Sequence, residues 1–172
     1  MKICIINGSH RKNGNCSIFS QKAASILNKK HEVEIYNLHD CNIIPCNGCL
    51  ICEEGEDCPI KDDYSNTICP AIKACDLIIF ATPTYFNMPS SLLVNLLDRT
   101  NNLCDYFSEN KKHALVYLVG QTDDTSILEA YRCLKNYFEI MDIKEIMPPI
   151  IDIARMPQEN FNSQIILMME NI

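Results

Sequence analysis

Four cysteines lie close together in the first half of the chain, with a spacing that suits a metal centre. Cys46, Cys49, Cys52 and Cys58 form a C-x2-C-x2-C-x5-C pattern. Three thiolates at intervals of three residues can surround one compact centre, and a fourth shortly afterwards can complete the ligands of an iron–sulfur cubane. Structural zinc more often uses two C-x2-C pairs that a longer loop separates. The spacing therefore favours iron over zinc, with free thiols in a loop as the alternative.

A second segment has the residue types of an anion site. Residues 8–17 read GSHRKNGNCS, and they follow an apolar run and precede a helical pattern. A loop rich in Gly, Ser and Asn that opens a helix presents backbone N–H groups and a positive dipole end to an anion. Arg11 and Lys12 add positive charge. The spacing matches neither a Walker A loop nor a dinucleotide fingerprint, so another type of phosphate loop is predicted, with an ordinary strand-to-helix turn as the alternative.

An aromatic turn follows the most apolar run of the chain, in the segment TPTYFN at residues 82–87. A flat heterocyclic ring needs apolar contact with its face and backbone groups for its polar edge, which aromatic residues beside a proline-fixed turn provide. Taken alone, Tyr85 and Phe86 would more often be core or interface aromatics.

The elements that must position these residues alternate between strand and helix. Strands are predicted at residues 2–7, 32–38, 76–83, 114–120 and 143–151, the last one broken by Pro148 and Pro149; helices are predicted at residues 17–30, 62–74, 90–101, 126–140 and 158–170. Right-handed crossovers place helices on both faces of such a sheet. The pattern therefore predicts an α/β fold with a doubly wound parallel sheet of five strands, in three layers, with a cysteine-rich loop at residues 41–63 after the second strand. Its ligand is expected beyond the carboxyl ends of the strands.

Composition excludes several classes of protein. The 172 residues suit one domain, residues 1–172, with a full core. No apolar run is long enough to cross a bilayer and the chain starts directly with a strand pattern, so a cytoplasmic protein without membrane attachment is expected. Eleven cysteines without a secretion signal indicate metal or redox chemistry rather than disulfides. A net charge of −7 argues against a nucleic acid partner.

The anion loop carries a specific family resemblance. GSHRKNGNCS resembles the G-S-x-R-x-x-G-N-S/T phosphate loop of the NADPH-dependent FMN reductase and iron–sulfur flavoprotein families. The resemblance implies a flavodoxin-like fold, with strand order 2-1-3-4-5, and FMN as cofactor. Its implied cofactor-binding residues in this loop are Ser9, His10, Arg11, Gly14, Asn15 and Cys16. Cys16 stands where the family often has a hydroxyl, which is a stronger donor than a thiol.

The aromatic turn and its neighbours extend the resemblance. The turn is similar to the family's P-x-Y-W/F/Y loop, which a helix ending in Asp-Arg follows, here Asp98 and Arg99. A third loop begins at Gly120 and continues with Gln121 and Thr122, where the family often has a Gly-Gly pair. The flavin contacts that the resemblance implies are Pro83, Thr84, Tyr85, Phe86, Asn87 and Gly120.

The cysteine segment at residues 45–63 resembles the compact motif of iron–sulfur flavoproteins, which implies a 4Fe-4S cluster on Cys46, Cys49, Cys52 and Cys58. The cluster would lie among acids that lower its reduction potential, namely Glu53, Glu54, Glu56 and Asp57.

Three functions compete at this point. The first is an iron–sulfur flavoprotein that carries electrons from NAD(P)H or a ferredoxin-type donor to a small flat acceptor, with no side chain acting as a nucleophile. The second is a clusterless NAD(P)H-dependent reductase of flavins, quinones or nitro compounds. The third is a zinc-stabilised binding module without catalysis. The resemblance also implies a homodimer or homotetramer with FMN near a subunit interface.

Overall fold

A computed structural model describes residues 1–120, 124–154 and 172. In chain order its strands and helices are β1 (Lys2–Asn7), α1 (Asn15–Leu27), β2 (Glu32–Asn37), α2 (Cys69–Ala74), β3 (Leu77–Tyr85), β4 (Met88–Pro89), α3 (Ser91–Arg99), α4 (Cys104–Glu109), β5 (Lys112–Gly120), α5 (Asp124–Ile140), β6 (Ile143–Glu145) and β7 (Ile150–Ile153). Short 3-10 turns occupy Leu38–Asp40, Ile51–Glu54 and Thr100–Leu103, and a π-helical turn at Tyr64–Ile68 leads into α2. The predicted helix at residues 158–170 lies outside the described residues.

The central sheet is parallel, and its order differs from the predicted 2-1-3-4-5 only at one edge. Its strands follow one another as β2-β1-β3-β5, with β6 and β7 both pairing with β5 at the edge. Because β1, β3 and β5 are covered on both faces, their sequences are nearly continuous apolar runs, as buried parallel strands require. The sheet with its flanking helices confirms the predicted flavodoxin-like α/β fold.

Alternate residues of each strand enter two separate cores. Ile3 and Ile5 pack with residues of α1, including Phe19 and Leu27. Cys4 and Ile6 belong to the opposite core, which α2, α3, α4 and α5 cover. The period of two along each strand thus produces the layered arrangement.

The predicted number of five strands is wrong, because the described residues form seven. The expected last strand, residues 143–151, is divided into β6 and β7. Glu145 pairs with Ala114 and Ile150 pairs with Tyr117, so four residues lie between the paired positions on this edge, whereas two lie between them on β5. Pro148 and Pro149 lie in this interruption and have no N–H group to donate to the sheet. The other additional strand, β4, is a two-residue antiparallel partner of β3.

The cysteine-rich loop, residues 41–63, is irregular apart from its one short helical turn, as predicted. Among the residues that the structure describes, no helix is both long and apolar enough to cross a membrane.

Candidate functional site

A cavity of about 360 Å³ opens beyond the carboxyl ends of β1, β3 and β5. This is the position expected for the ligand of a doubly wound sheet, and the volume is in the range of small-molecule sites. It is lined by Ser9, Arg11, Gly14, Asn15, Cys16, Pro83, Thr84, Tyr85, Phe86, Asn87, Val119, Gly120 and Ala154. The fold therefore brings two of the predicted loops together with Gly120, the first residue of the third; Gln121 and Thr122 lie outside the described residues.

His10 is a predicted cofactor-binding residue outside the cavity lining. Its Nε2 atom lies 3.3 Å from the Ser91 hydroxyl, and its ring meets that of Tyr85 edge to face with centroids 6.2 Å apart. His10 therefore contacts the aromatic turn from the phosphate loop. Val119 and Ala154 line the cavity without having been predicted, and no sequence motif marks them.

The shape of the loop after β1 depends on Asn7, which is fully buried. The Asn7 amide donates to Ser17 Oγ at 2.9 Å and to Asn37 Oδ1 at 2.8 Å, while its own oxygen accepts the Ser9 N–H at 3.1 Å. Because one side chain joins β1, β2 and α1, it fixes where the loop leaves the sheet. Sequence reasoning missed Asn7, although a buried amide that ends an apolar strand is a usable signal.

The Arg11 carbonyl closes the middle of the same loop. It accepts the Gly14 N–H at 3.2 Å and the Ser17 hydroxyl at 2.9 Å. The Arg11 N–H in turn donates to Ser9 Oγ at 3.1 Å. Helix α1 then begins with no side-chain cap and no acid in its first turn. Its positive dipole end is consequently suited to an anion such as a phosphate.

Asn15 and Tyr117 meet at the carboxylate of Asp152 below this helix start. The Asn15 amide donates to Asp152 Oδ2 at 2.9 Å and the Tyr117 hydroxyl donates to the same oxygen at 2.8 Å. Burial, together with the negative charge of Asp152, raises the pKa of Tyr117, so its hydroxyl remains a donor. Asp152 thus orients Asn15 from the far edge of the sheet. It lies 137 positions away in the sequence, and no local pattern predicts the contact.

Cys16 remains a neutral thiol at the start of α1. It is 2% exposed. Burial, with a further contribution from the charge of Asp152, raises the pKa of Cys16 well above that of an ordinary thiol. The residue therefore presents a weak S–H donor to the cavity.

The phosphate loop is also tied to the 3-10 turn after β2. Lys12 pairs with Asp40 at 2.6 Å, and the ring of His39 lies between Asp40 Oδ2, at 3.2 Å, and the Ser9 carbonyl oxygen, at 2.9 Å. The Lys12 pair is exposed, so its contribution to stability is small. The ion pair holds the Lys12 side chain on Asp40. Of these two neighbouring basic residues, Arg11 is the one that lines the cavity.

The aromatic turn has an uncommon backbone. Phe86 and Asn87 have φ angles of 48° and 62°, and together they form the tight connection between β3 and β4. Asn tolerates this left-handed conformation, but it is strained for a bulky residue. The Phe86 side chain is fully exposed, so no packing compensates for the strain. A strained and unburied aromatic at the edge of a cavity indicates a role in binding rather than in folding.

Ser90 connects the two loops that face each other across the cavity. Its hydroxyl donates to the Gly8 carbonyl at 2.6 Å and accepts the Leu93 N–H at 3.2 Å, thereby capping α3. Its backbone N–H donates to Thr82 Oγ1 at 3.0 Å. Gly8 is required at this approach, because a Cβ atom there would lie 2.9 Å from Ser90 Oγ and 3.1 Å from Leu93 Cβ.

The four predicted metal ligands share one loop but are not gathered into a centre. Cys46 and Cys49 are exposed, and Cys52 and Cys58 are half-buried; all four are free thiols. Within the described ranges, no three His, Cys, Asp or Glu side chains form a group that could hold a metal ion. The thiol donor set suits an iron–sulfur cluster chemically, but the four sulfurs do not form a group that could hold one in the described structure. Gly48, Leu50 and Gly55 have positive φ angles in this loop.

Arg99, at the end of α3, holds both ends of the cysteine loop. Its guanidinium donates to the Ile44 carbonyl at 2.6 Å and to the Ile60 carbonyl at 3.3 Å, and it lies over the ring of Tyr64 at 4.8 Å. It also pairs with Asp62 at 2.6 Å, with both side chains inaccessible to solvent. Burial alone would raise the pKa of Asp62, but hydrogen bonds from Arg99 and from the backbone outweigh it and place that pKa below its ordinary value.

Side-chain N–H groups from this corner reach three cysteine sulfurs. Arg99 Nη2 lies 3.2 Å from Cys58 Sγ, Asn101 Nδ2 lies 3.4 Å from Cys52 Sγ, and Asn102 donates to the buried Cys69 Sγ at 3.7 Å. The first two of these sulfurs belong to the predicted ligand set.

Comparisons with known proteins agree with this geometry. A family model described as NADPH-dependent FMN reductase matches residues 1–153. An iron–sulfur flavoprotein of Methanocaldococcus jannaschii is 32% identical over 141 residues, which cover 81% of this chain and 72% of that protein. An iron–sulfur flavoprotein of Archaeoglobus fulgidus is 34% identical over 122 residues, or 70% of this chain and 60% of that protein.

Solved structures show the same fold. An NADH:FMN oxidoreductase in its apo form superposes with a TM-score of 0.69 over 99% of this chain and 84% of that one, at 17% identity. A WrbA-like flavodoxin from Agrobacterium tumefaciens gives a TM-score of 0.68 over 99% and 93% of the two chains, at 14% identity.

Fold, cavity and sequence relatives together define the class of FMN-dependent oxidoreductases built on a flavodoxin-like sheet. Within that class, the chain belongs to the NADPH-dependent FMN reductase family.

Proposed function

We propose that the chain is an electron-transfer flavoprotein that binds FMN in the cavity and a 4Fe-4S cluster on Cys46, Cys49, Cys52 and Cys58. The single observation that carries the flavin site is the cavity itself. It lies between the uncapped start of α1 and the aromatic turn, and it is lined by residues of both of these loops and by Gly120.

The residues have distinct roles in this proposal. Ser9, Asn15 and Cys16, with the backbone N–H groups at the start of α1, hold the phosphate, and Arg11 supplies positive charge. Residues 83–87 lie along the ring, and Gly120 borders its far end. Bound FMN supplies hydride and single-electron chemistry, so the protein contributes position and electrostatics rather than a nucleophile.

The partners follow from this arrangement. NAD(P)H or a ferredoxin-type protein supplies electrons, and a small flat acceptor stacks beside the aromatic turn. Tyr85 and Phe86 line the cavity and are exposed, and Met88, which pairs with Tyr85, is exposed beside them. An exposed apolar group of this kind supports assembly of a homodimer or homotetramer around the flavin.

The flavin site is tested by titrating the purified protein with FMN and following the quenching of flavin fluorescence. Saturable quenching is expected with the unaltered chain, and Arg11→Ala should weaken it. Lys12→Ala is the matched control, because Lys12 is held by Asp40 and does not line the cavity. Absence of quenching with the unaltered chain would exclude the FMN site.

The cluster is tested separately by iron and sulfide analysis after anaerobic purification. About four irons and four sulfides per chain are expected, and replacing Cys49 and Cys52 with serine should remove them without loss of FMN. Replacing the exposed Cys133, which lies on α5, is the control.

A clusterless NAD(P)H-dependent reductase of flavins, quinones or nitro compounds is the second candidate. The observation in its favour is that the cysteine sulfurs of the described loop are not gathered together. Bound FMN without iron would support this candidate, whereas colourless protein containing zinc would support a non-catalytic module.

A further inference from the structure

We propose that Asp152 determines how strongly the cavity distinguishes a flavin that carries a phosphate from one that does not; this inference rests on the proposed FMN site. Its carboxylate holds the Asn15 amide at the start of α1, where the phosphate is expected, while its negative charge opposes that of the phosphate. Asp152 does not itself line the cavity, so it acts through Asn15 and through its charge.

The carboxylate fixes which end of the Asn15 amide faces it. A carboxylate offers only acceptors, so the contact at 2.9 Å is made by the Asn15 nitrogen. The Tyr117 hydroxyl likewise donates to the same oxygen at 2.8 Å. Tyr117 is held in place in turn, because it is inaccessible to solvent and its ring stacks on that of Phe19 with centroids 4.0 Å apart. Asp152 is therefore a positioning residue that ties Asn15 to a rigid part of the core.

The charge of Asp152 reaches the wall of the cavity. After burial, it is the next contribution that raises the pKa of Cys16, and Cys16 lines the cavity. Asn15 and Tyr117, which donate to Asp152, are both uncharged. The ion pairs formed among residues 1–120 and 124–154 do not include Asp152. Within this part of the chain, the negative charge is thus not neutralised by a paired cation.

The cavity has little positive charge to set against this carboxylate. Among the described residues that line it, Arg11 is the only basic one, and the neighbouring Lys12 is paired with Asp40. A phosphate monoester carries a charge of about −1.5 to −2 at pH 7. Arg11 and Asp152 nearly balance each other, so backbone N–H groups and the dipole of α1 must supply much of the phosphate binding. Removing the charge of Asp152 should therefore strengthen the binding of a phosphate and leave the binding of an uncharged ligand unaltered.

The test is a fluorescence titration of the purified protein with FMN and with riboflavin, which lacks the phosphate. Asp152→Asn keeps an acceptor oxygen for Asn15 and Tyr117 but removes the charge. It should bind FMN roughly three- to tenfold more tightly, with the affinity for riboflavin unchanged. Asp76→Asn is the matched control, because it makes the same change of charge just before β3, at the opposite end of the sheet, where Asp76 is exposed and accepts the Lys2 N–H at 2.8 Å. Its affinity for both ligands should equal that of the unaltered protein.

A second variant separates the orientation of Asn15 from the charge. Asp152→Ala removes the acceptor together with the charge, so it should bind FMN less tightly than Asp152→Asn does. Equal FMN affinities of these two variants would overturn the positioning role of Asp152.

The failures of the two proposals are distinguishable. An unchanged or lower FMN affinity in Asp152→Asn, or an equal gain for FMN and riboflavin, overturns the selectivity assigned to Asp152 and leaves the flavin site standing. Absence of quenching by either flavin with the unaltered chain overturns the flavin site, and the role of Asp152 with it.

Discussion

Arg99 and Asp62 form a solvent-inaccessible ion pair that joins the end of α3 to both ends of the cysteine loop. Asp62 also accepts the Ile44 N–H at 2.8 Å, and Arg99 donates to the Ile44 carbonyl. Both members of the ion pair therefore also hydrogen-bond to the backbone of the loop. Removing one member leaves the other charged and buried.

Asp62→Asn should destabilise the protein by about 3–5 kcal/mol near pH 7, because Arg99 loses its buried counter-ion. The pKa of Asp62 is lowered in the folded state, so its stabilisation is complete above the unfolded pKa of about 3.9. That stabilisation is lost as the pH falls through the lower, folded pKa. The free energy of unfolding, measured with urea across this acid range, should therefore change more steeply with pH in the unaltered protein than in Asp62→Asn.

Asp63→Asn is the control for this prediction. Asp63 accepts the Asn42 N–H at 2.6 Å but forms no ion pair with a buried cation of the described residues, so its replacement should cost about 1 kcal/mol. Equal losses in the two variants would contradict a special role for the Arg99 pair.

Ser90→Ala should reduce both stability and FMN affinity. It removes the cap of α3, which costs about 1 kcal/mol, and it breaks the link between Gly8 and the aromatic turn. Chemical denaturation and fluorescence titration measure the two effects. Ser91→Ala is the neighbouring control, since Ser91 is exposed and, within the described part of the chain, its hydroxyl hydrogen-bonds only to His10. Similar behaviour of the two variants would argue against the link.

Phe86→Gly should stabilise the apo protein by about 1 kcal/mol while weakening FMN binding. Glycine adopts the left-handed conformation without strain, and no buried contact is lost because Phe86 is exposed. Thermal unfolding and flavin titration test the two halves of the prediction. Asn87→Gly is the matched change at the next residue. It should stabilise the apo protein less, because asparagine already tolerates a positive φ. A less stable Phe86→Gly would show that the ring packs favourably.

Cys16→Ser should tighten FMN binding several-fold. A hydroxyl is a stronger donor than a neutral thiol, and the raised pKa of Cys16 keeps the thiol protonated. Fluorescence titrations with FMN and with riboflavin separate the phosphate contribution, because riboflavin lacks the phosphate. Tightening for both ligands alike, or for neither, would mean that residue 16 does not reach the phosphate.

The parallel sheet could be predicted because burial on both faces produces apolar runs such as residues 77–82. The loops at residues 8–17 and 82–87 could be predicted because Gly, Ser, Pro and aromatic residues have local conformational or stacking consequences. Their meeting around one cavity follows from parallel strands that end at the same edge of the sheet.

The remaining site residues depend on contacts between distant segments. Asp152 reaches Asn15 from the last strand, and Asp62 reaches Arg99 across 37 positions. Pairings of this kind leave no periodic pattern in the sequence. Pro148 and Pro149 indicate in the sequence that the strand is interrupted between β6 and β7. The length of the interruption depends on how these two strands pair with β5.

The interrupted strand also makes one edge of the sheet a poor template for pairing with another chain. An open sheet can recruit strands from other chains wherever a regular edge is exposed. On the described side of β6 and β7, Pro148 and Pro149 break the row of donors that an incoming strand needs. At the opposite border, the exposed carboxylates Glu32 and Glu34 would be forced against an added chain. Both described borders of the sheet therefore carry features that disfavour the addition of a strand.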